Sequence, residues 1–310
     1  MLAQRSFSSV GAGKNVGFIG LGCMGNPMAG NLVKNGYSVK GFDLSADARR
    51  AAADAGITAV DSIAEASKGV DFVVTALPET RHVEEALKGQ GGIFESADKG
   101  TYICDTSTIH PDGAAGFNAA AKEVGLVYLD TPMSGGVTGA HNATLTFMVG
   151  GTEAEFEHAK KVLAGMGANF FHCGAPGSGE IMKLTNNLIL GISMVASSEG
   201  MAIGEKLGAD PVILQKILAC STARNWCIDT YNPKPGILPN VPSSKNYEGG
   251  FAVGLIKKDM ILARDAAKEK DARTDLLEES LSYYTDLEKA GLGKKDFGYV
   301  YQYIMKNKKL

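Results

Sequence analysis

Lys183 and Asn187 stand four residues apart in the run Gly177-Ser178-Gly179-Glu180-Ile181-Met182-Lys183-Leu184-Thr185-Asn186-Asn187. On a helix that spacing puts both side chains on one face. A lysine entering an apolar helix must be paired, deprotonated or functional. As a proton acceptor it needs a pKa drawn toward ~7–8 by burial or by nearby cations. The alternative is a lysine that snorkels out at the helix start. Gly177 and Gly179 break the preceding structure, and Ser178 is a candidate cap. From Leu188 to Ser198 the chain is apolar or small nearly all round, which predicts a helix buried on every side. The uncharged span 184–198 is 15 residues, short of the ~20 that cross a bilayer.

A second chemical pattern lies near the start. Val16-Gly17-Phe18-Ile19 reads as a buried strand. Gly20-Leu21-Gly22-Cys23-Met24-Gly25 follows at once, and Asn26 to Asn35 reads as a helix closed by Gly36. The three glycines suit a tight turn, close approach of a pyrophosphate and helix-on-strand packing, with the helix N-terminus facing the phosphates. A second strand, Tyr37 to Phe42, ends in Asp43. A carboxylate there accepts from a ribose hydroxyl and repels a 2′-phosphate, so NAD is expected over NADP.

The elements that must hold these groups alternate. Strand candidates are Val70–Leu77, Thr101–Asp105, Leu126–Asp130, Leu145–Val149 and Asn169–His172. Helix candidates are Glu79–Lys88, Pro111–Val124 and Thr152–Gly167. Such alternation predicts a Rossmann-type, doubly wound, mainly parallel sheet, with its ligand beyond the carboxyl ends of the strands. Leu77-Pro78, the run from Asp105 to Thr108 and the run from Asp130 to Gly136 all fall at strand ends and are expected to line that cleft. Beyond residue 179 only helices are expected: Asp210–Ser221, Leu255–Lys270, Asp275–Ala290 and Phe297–Met305, with a proline-rich loop from Tyr231 to Tyr247. The expected organisation is a leader over 1–14, a dinucleotide-binding domain over 15–178 and an all-α domain over 179–310 that begins with a long helix. That helical domain carries more apolar surface than one chain covers, which predicts a homodimer or homotetramer.

A net charge of -3 gives no case for nucleic acid or an anionic membrane as partner. The five cysteines are odd in number, lack metal-ligand spacing and read as reduced thiols. No metal cluster is expected. Residues 1–14 hold Arg5, three serines and no acid, and the first acidic residue of the chain is Asp43. That composition fits a short mitochondrial presequence, with a plain N-terminal tail and a cytoplasmic protein as the alternative.

Four segments together resemble the β-hydroxyacid dehydrogenase family: GFIGLGCMGNPMAGNL from Gly17, DTPMSGGVTGA from Asp130, GSGEIMKLTNN from Gly177 and IKKDMILARD from Ile256. The resemblance covers essentially everything from Lys14 onward. It implies NAD-dependent oxidation of a hydroxyl on a small carboxylic acid, with Lys183 as the catalytic lysine and Asn187 orienting the substrate. Ser134, Gly135 and Gly136 match its substrate loop. Leu77, Pro78, His82 and Thr108 match positions beside the cofactor, and Lys258 matches a lysine that reaches cofactor and substrate. Three residues depart from the pattern. His82 stands where relatives usually carry Asn, Glu180 replaces a usual Gln, and Met133 replaces a smaller apolar side chain. The rival from another class is a silent dinucleotide-binding module, from which the loss of Lys183 would be expected.

Overall fold

The computed structural model describes residues 14–306, so the presequence expected over 1–14 lies outside the described residues except for Lys14. The chain divides into two compact units between Lys183 and Leu184.

The first unit opens with β1 (Asn15–Ile19), α1 (Gly25–Lys34), β2 (Ser38–Phe42), α2 (Ala46–Asp54) and β3 (Thr58–Ala59). It continues through α3 (Ile63–Ser67), β4 (Phe72–Thr75), α4 (Thr80–Lys88), α5 (Ile93–Ser96), β5 (Tyr102–Asp105), α6 (Pro111–Glu123) and β6 (Val127–Asp130). After these come β7 (Met133–Ser134), α7 (Gly136–Asn142), β8 (Leu145–Gly150), α8 (Glu153–Leu163), β9 (Gly167–Gly174) and the start of α9 (Ser178–Lys206). The first six strands pair in parallel in the order β3-β2-β1-β4-β5-β6, the doubly wound arrangement of dinucleotide-binding folds. At Asp130 the sheet changes sense. β8 joins β6 antiparallel through Asp130 and Gly150, β7 joins β8 antiparallel, and β9 runs parallel to β8.

Period-two burial explains the layering. Val16 and Phe18 of β1, Phe72 and Val74 of β4 and Cys104 of β5 belong to one core, shared with Met28, Leu32 and Val162. Ile19, Val73, Ile103 and Tyr128 point to the other face, among Val83, Leu87 and Phe117. Two fully buried faces account for the nearly continuous apolar strands. The helix expected to reach Gly167 stops at Leu163, because Gly167 already pairs with Leu145 as the first residue of β9.

The second unit holds the rest of α9, then α10 (Pro211–Cys220), α11 (Trp226–Asp229), α12 (Val253–Lys268), α13 (Asp275–Lys289) and α14 (Val300–Lys306). Single 3₁₀ turns occupy Pro242–Lys245 and Phe297–Tyr299. Asp210 caps α10 by accepting from Val212 and Ile213 N–H groups, with Pro211 at the first helical position. Its core gathers Met194 and Val195 of α9, Ile256 and Met260 of α12, and Leu277, Leu281 and Tyr284 of α13. At 29 residues, α9 is long and apolar enough to cross a bilayer by length and composition. Its inner residues are instead part of this core.

The helix expected to be buried on every side from Leu188 to Ser198 is not: Ile189 is 59% exposed and Ala196 is exposed as well. Elsewhere on α9, Ile181, Met182, Thr185, Asn186 and Ile203 are exposed too. One stripe of the helix faces the core, and the opposite stripe is apolar but uncovered in the single chain.

Candidate active site

In the first unit, Gly20 follows β1 with φ +95, where a side chain would be strained and would collide with the Ala76 carbonyl. Gly25 leaves no room for a Cβ against the Gly20 carbonyl. Gly22 differs: a Cβ there would meet nothing within 4 Å. Among the described residues no packing demands a glycine at that position, whereas a phosphate approaching the backbone would. The N-cap residue of α1, Met24, makes no side-chain capping bond, and the first turn holds no acid. The positive end of this helix is therefore left for a ligand anion. A dinucleotide pyrophosphate fits the cradle formed by Gly20, Leu21, Gly22, Cys23, Met24 and Gly25.

Asp43 lies just past β2. Its Oδ2 accepts from the Leu21 N–H at 2.8 Å and its Oδ1 from the Ser45 N–H at 2.8 Å. The carboxylate is thus fastened to the glycine turn, where a ribose would follow the pyrophosphate. Arg49, which the sequence reading did not single out, donates from Nη1 to the Asp43 carbonyl at 2.6 Å.

The loops after β4 and β5 are tied together. The Leu77 N–H donates to Ser107 Oγ at 2.9 Å, and Thr106 Oγ1 donates to the Thr75 carbonyl at 2.7 Å. Beneath them Asp105 accepts from Thr75 Oγ1, Tyr128 Oη and the Ser107 N–H at 2.7, 2.8 and 3.0 Å. Burial pushes the Asp105 carboxyl up, and these donors pull it back. The same burial, with Asp105 beside it, raises the Tyr128 phenol well above its ordinary value. Asp105 and Asp130, expected to line the cleft, are instead fully buried. Asp105 satisfies the Ser107 N–H of the turn that follows its strand, whereas Asp130 satisfies N–H groups at the start of α9. Thr108 is half-buried at the edge. On α4, His82 Nδ1 is buried without a hydrogen-bond partner, which leaves it available to a ligand.

Ser134 ends β7, paired with Thr146, and Gly135 (φ +133) and Gly136 (φ +61) turn the chain into α7. Asp130 Oδ1 accepts from the Gly177 N–H at 2.8 Å and Oδ2 from the Glu180 N–H at 3.2 Å. Lys183, 8% exposed, closes this unit on α9, and Glu180 is fully buried one turn before it.

In the second unit, Asn187 opens the remainder of α9, one turn beyond Lys183 along the same helix. It is 1% exposed, and its Nδ2 donates to Asp259 Oδ2 at 2.6 Å. The Lys258 ammonium lies 3.0 Å from Asp259 Oδ1. The structure therefore brings Asn187 and Lys258 together on α9 and α12 through Asp259, which the sequence reading passed over. Its signal was only its place beside Lys258. Among the five cysteines, Cys104 and Cys227 are buried, and burial pushes both thiols up to about 12. They are packing residues.

Comparison with known proteins adds identity to this geometry. Residues 15–174 match the model of the NAD-binding domain of 6-phosphogluconate dehydrogenase. Residues 177–304 match that of the NAD-binding region of NADP-dependent 3-hydroxyisobutyrate dehydrogenase. The human mitochondrial 3-hydroxyisobutyrate dehydrogenase is 43% identical over 298 residues, 96% of this chain and 88% of that protein. An NAD-dependent L-serine dehydrogenase of Pseudomonas aeruginosa is 41% identical over 287 residues, 93% of this chain and 96% of that protein. The solved structure of a Mycobacterium tuberculosis 3-hydroxyisobutyrate dehydrogenase with L-serine is 35% identical. It superposes with a TM-score of 0.87 over 94% of this chain and 99% of that one.

Proposed function

The chain belongs to the β-hydroxyacid dehydrogenase family, among the 3-hydroxyisobutyrate dehydrogenases, and we propose that it oxidises 3-hydroxyisobutyrate to methylmalonate semialdehyde with NAD, as in valine breakdown. The observation that carries the mechanism is a nearly buried Lys183 one helical turn from a buried Asn187. When bound, NAD supplies the hydride acceptor. Lys183 Nζ takes the hydroxyl proton as the carbinol C–H bond gives up its hydride, and it returns a proton in the reverse direction. Asn187, held by Asp259, orients the reacting hydroxyl. The Ser134 hydroxyl, the N–H groups of Gly135 and Gly136, and the Lys258 ammonium bind the substrate carboxylate, since charge-assisted bonds of this kind are strong. Leu77, Pro78, His82, Thr108 and Lys258 border the cofactor, and Asp43 selects against a 2′-phosphate.

Lys183→Ala tests the assignment. Turnover should fall by at least ~10²-fold, within the usual contribution of a positioned acid–base group, while NAD binding stays within about twofold. A variant retaining more than a few per cent of the rate constant removes Lys183 from the base role.

L-serine is the second substrate reading, favoured by the serine-acting relative and the serine-bearing neighbour. It has the same 3-hydroxy acid frame, with an ammonium where 3-hydroxyisobutyrate has a methyl. An ammonium is costly where an apolar pocket takes a methyl, so serine should turn over more slowly than 3-hydroxyisobutyrate.

The uncovered stripe of α9 (Ile189, Ile203) and the exposed Val212, Ile213 and Ile217 of α10 suit a second copy of the chain, giving a homodimer or homotetramer. Sedimentation at micromolar concentration tests it, and a monomer contradicts it. Curated relatives carry mitochondrial names, and the composition of residues 1–14 supports the same matrix location here.

A further inference from the structure

We propose that Asp130 is a positioning residue that fixes the Lys183 helix relative to the Ser134–Gly136 loop. The inference rests on the reading of Lys183 as the base and adds a group on which its placement depends.

Three parts of the first unit meet at this carboxylate. Asp130 is the last residue of β6, four residues before Ser134, so its backbone sets where the substrate loop begins. Its Oδ1 and Oδ2 accept from the Gly177 and Glu180 N–H groups at the N-terminus of α9, three residues before Lys183. Its backbone pairs with Gly150 at the point where the sheet turns antiparallel. One residue therefore ties the loop and the end of β8, through its backbone, to the helix start, through its side chain.

The surroundings are cut to admit it. A Cβ on Gly150 would collide with Oδ1, and a Cβ on Gly179 would come within 2.8 Å of Oδ2. Gly177 holds φ +89 and would set a Cβ 2.7 Å from the Pro111 carbonyl. The two glycines of the lysine motif are thus explained by the chain itself: Gly179 lets α9 start against Asp130 and the Met148 carbonyl, and Gly177 turns the chain past Pro111. An anion at this end also complements the dipole of a 29-residue helix. An ordinary exposed cap would satisfy the helix without entering the sheet. Asp130, at 0% exposure, is placed where it can move only with β6 and β8.

Asp130→Asn tests the proposal. The amide keeps one acceptor and turns its NH₂ toward a backbone donor, so α9 must shift. Relative to wild type, kcat with 3-hydroxyisobutyrate should fall at least thirtyfold, KM should rise, and the NAD dissociation constant should stay within twofold. The deuterium isotope effect on kcat, with substrate labelled at the carbinol carbon, should increase as the chemical step becomes limiting. Gly150→Ala, which keeps the acid but displaces it, should give the same pattern more weakly, and it serves if Asp130→Asn does not fold. Lys183→Ala is the control. If that variant stays active, the base assignment falls. If it is inactive while both Asp130→Asn and Gly150→Ala match wild type, or lose activity only in proportion to lost NAD-binding sites with an unchanged isotope effect, the positioning role of Asp130 is overturned.

Discussion

Asn187 Nδ2 donates to Asp259 Oδ2 at 2.6 Å, and both side chains are almost completely buried. Asp259 also meets the Lys258 ammonium at 3.0 Å, so one carboxylate fixes an amide and a cation that are each assigned to the substrate. Asp259→Ala should remove this hydrogen bond and this ion pair. A hydrogen bond to a charged group contributes ~1.5–3 kcal/mol, so kcat/KM should fall about 10–150-fold. Steady-state kinetics of the variant check this, and a value within twofold of wild type contradicts it.

Cofactor choice should follow Asp43. Its carboxylate is held by the Leu21 and Ser45 N–H groups at the glycine turn. Asp43→Ser should weaken NAD binding about tenfold or more and ease NADP entry, helped by the Arg49 guanidinium nearby. Titration of both cofactors into wild type and variant measures this. Equal NAD and NADP affinity in the wild type contradicts the role given to Asp43.

These two predictions differ in how far the sequence announces them. The glycine turn, the strand, the helix and Asp43 follow one another within 30 residues, so local spacing reveals the cofactor cradle. The lysine motif is local as well. Asp259 is 72 residues from Asn187 and Asp130 is 47 from Gly177. Nothing in either stretch says where its carboxylate points until the chain is folded. The short β3 and β7 escape for a different reason: two residues carry no period. The all-round apolar character of α9 misleads because an uncovered apolar stripe and a buried one have the same composition.

Stability of the second unit should carry the signature of Asp296. This carboxyl, 1% exposed, accepts from Tyr231 Oη at 2.7 Å and from the Phe251 and Gly298 N–H groups at 2.9 Å. Burial nevertheless pushes it from 3.8 to about 6. The fold favours the protonated form, so this contribution is fully present below pH ~3.8 and is lost as pH rises through ~6. The unfolding free energy of wild type minus that of Asp296→Asn should fall by about 2 kcal/mol between pH ~4 and ~7.5. Trp226, the single tryptophan, stacks on Tyr231 at 4.5 Å and reports the transition by fluorescence. A difference that does not vary with pH contradicts the assignment.

Residues 1–14 should direct a fused reporter into mitochondria, and a chain starting at Lys14 should retain its turnover within about twofold. A cytosolic reporter contradicts the targeting role and leaves the enzymology untouched.

The central claim is the substrate, and catalytic efficiency with NAD across 3-hydroxyisobutyrate, 3-hydroxypropionate, L-serine, glycerate and 4-hydroxybutyrate tests it most directly. The account predicts 3-hydroxyisobutyrate first. 3-Hydroxypropionate should be slower by the ~10–200-fold that one methyl contributes, L-serine slower through the cost of placing its ammonium, and glycerate and 4-hydroxybutyrate slower still. Glycerate or 4-hydroxybutyrate leading by more than about tenfold, a gap of ~1.4 kcal/mol in transition-state binding, would contradict it and move the chain to a sister activity of the same family, such as tartronate or succinic semialdehyde reduction.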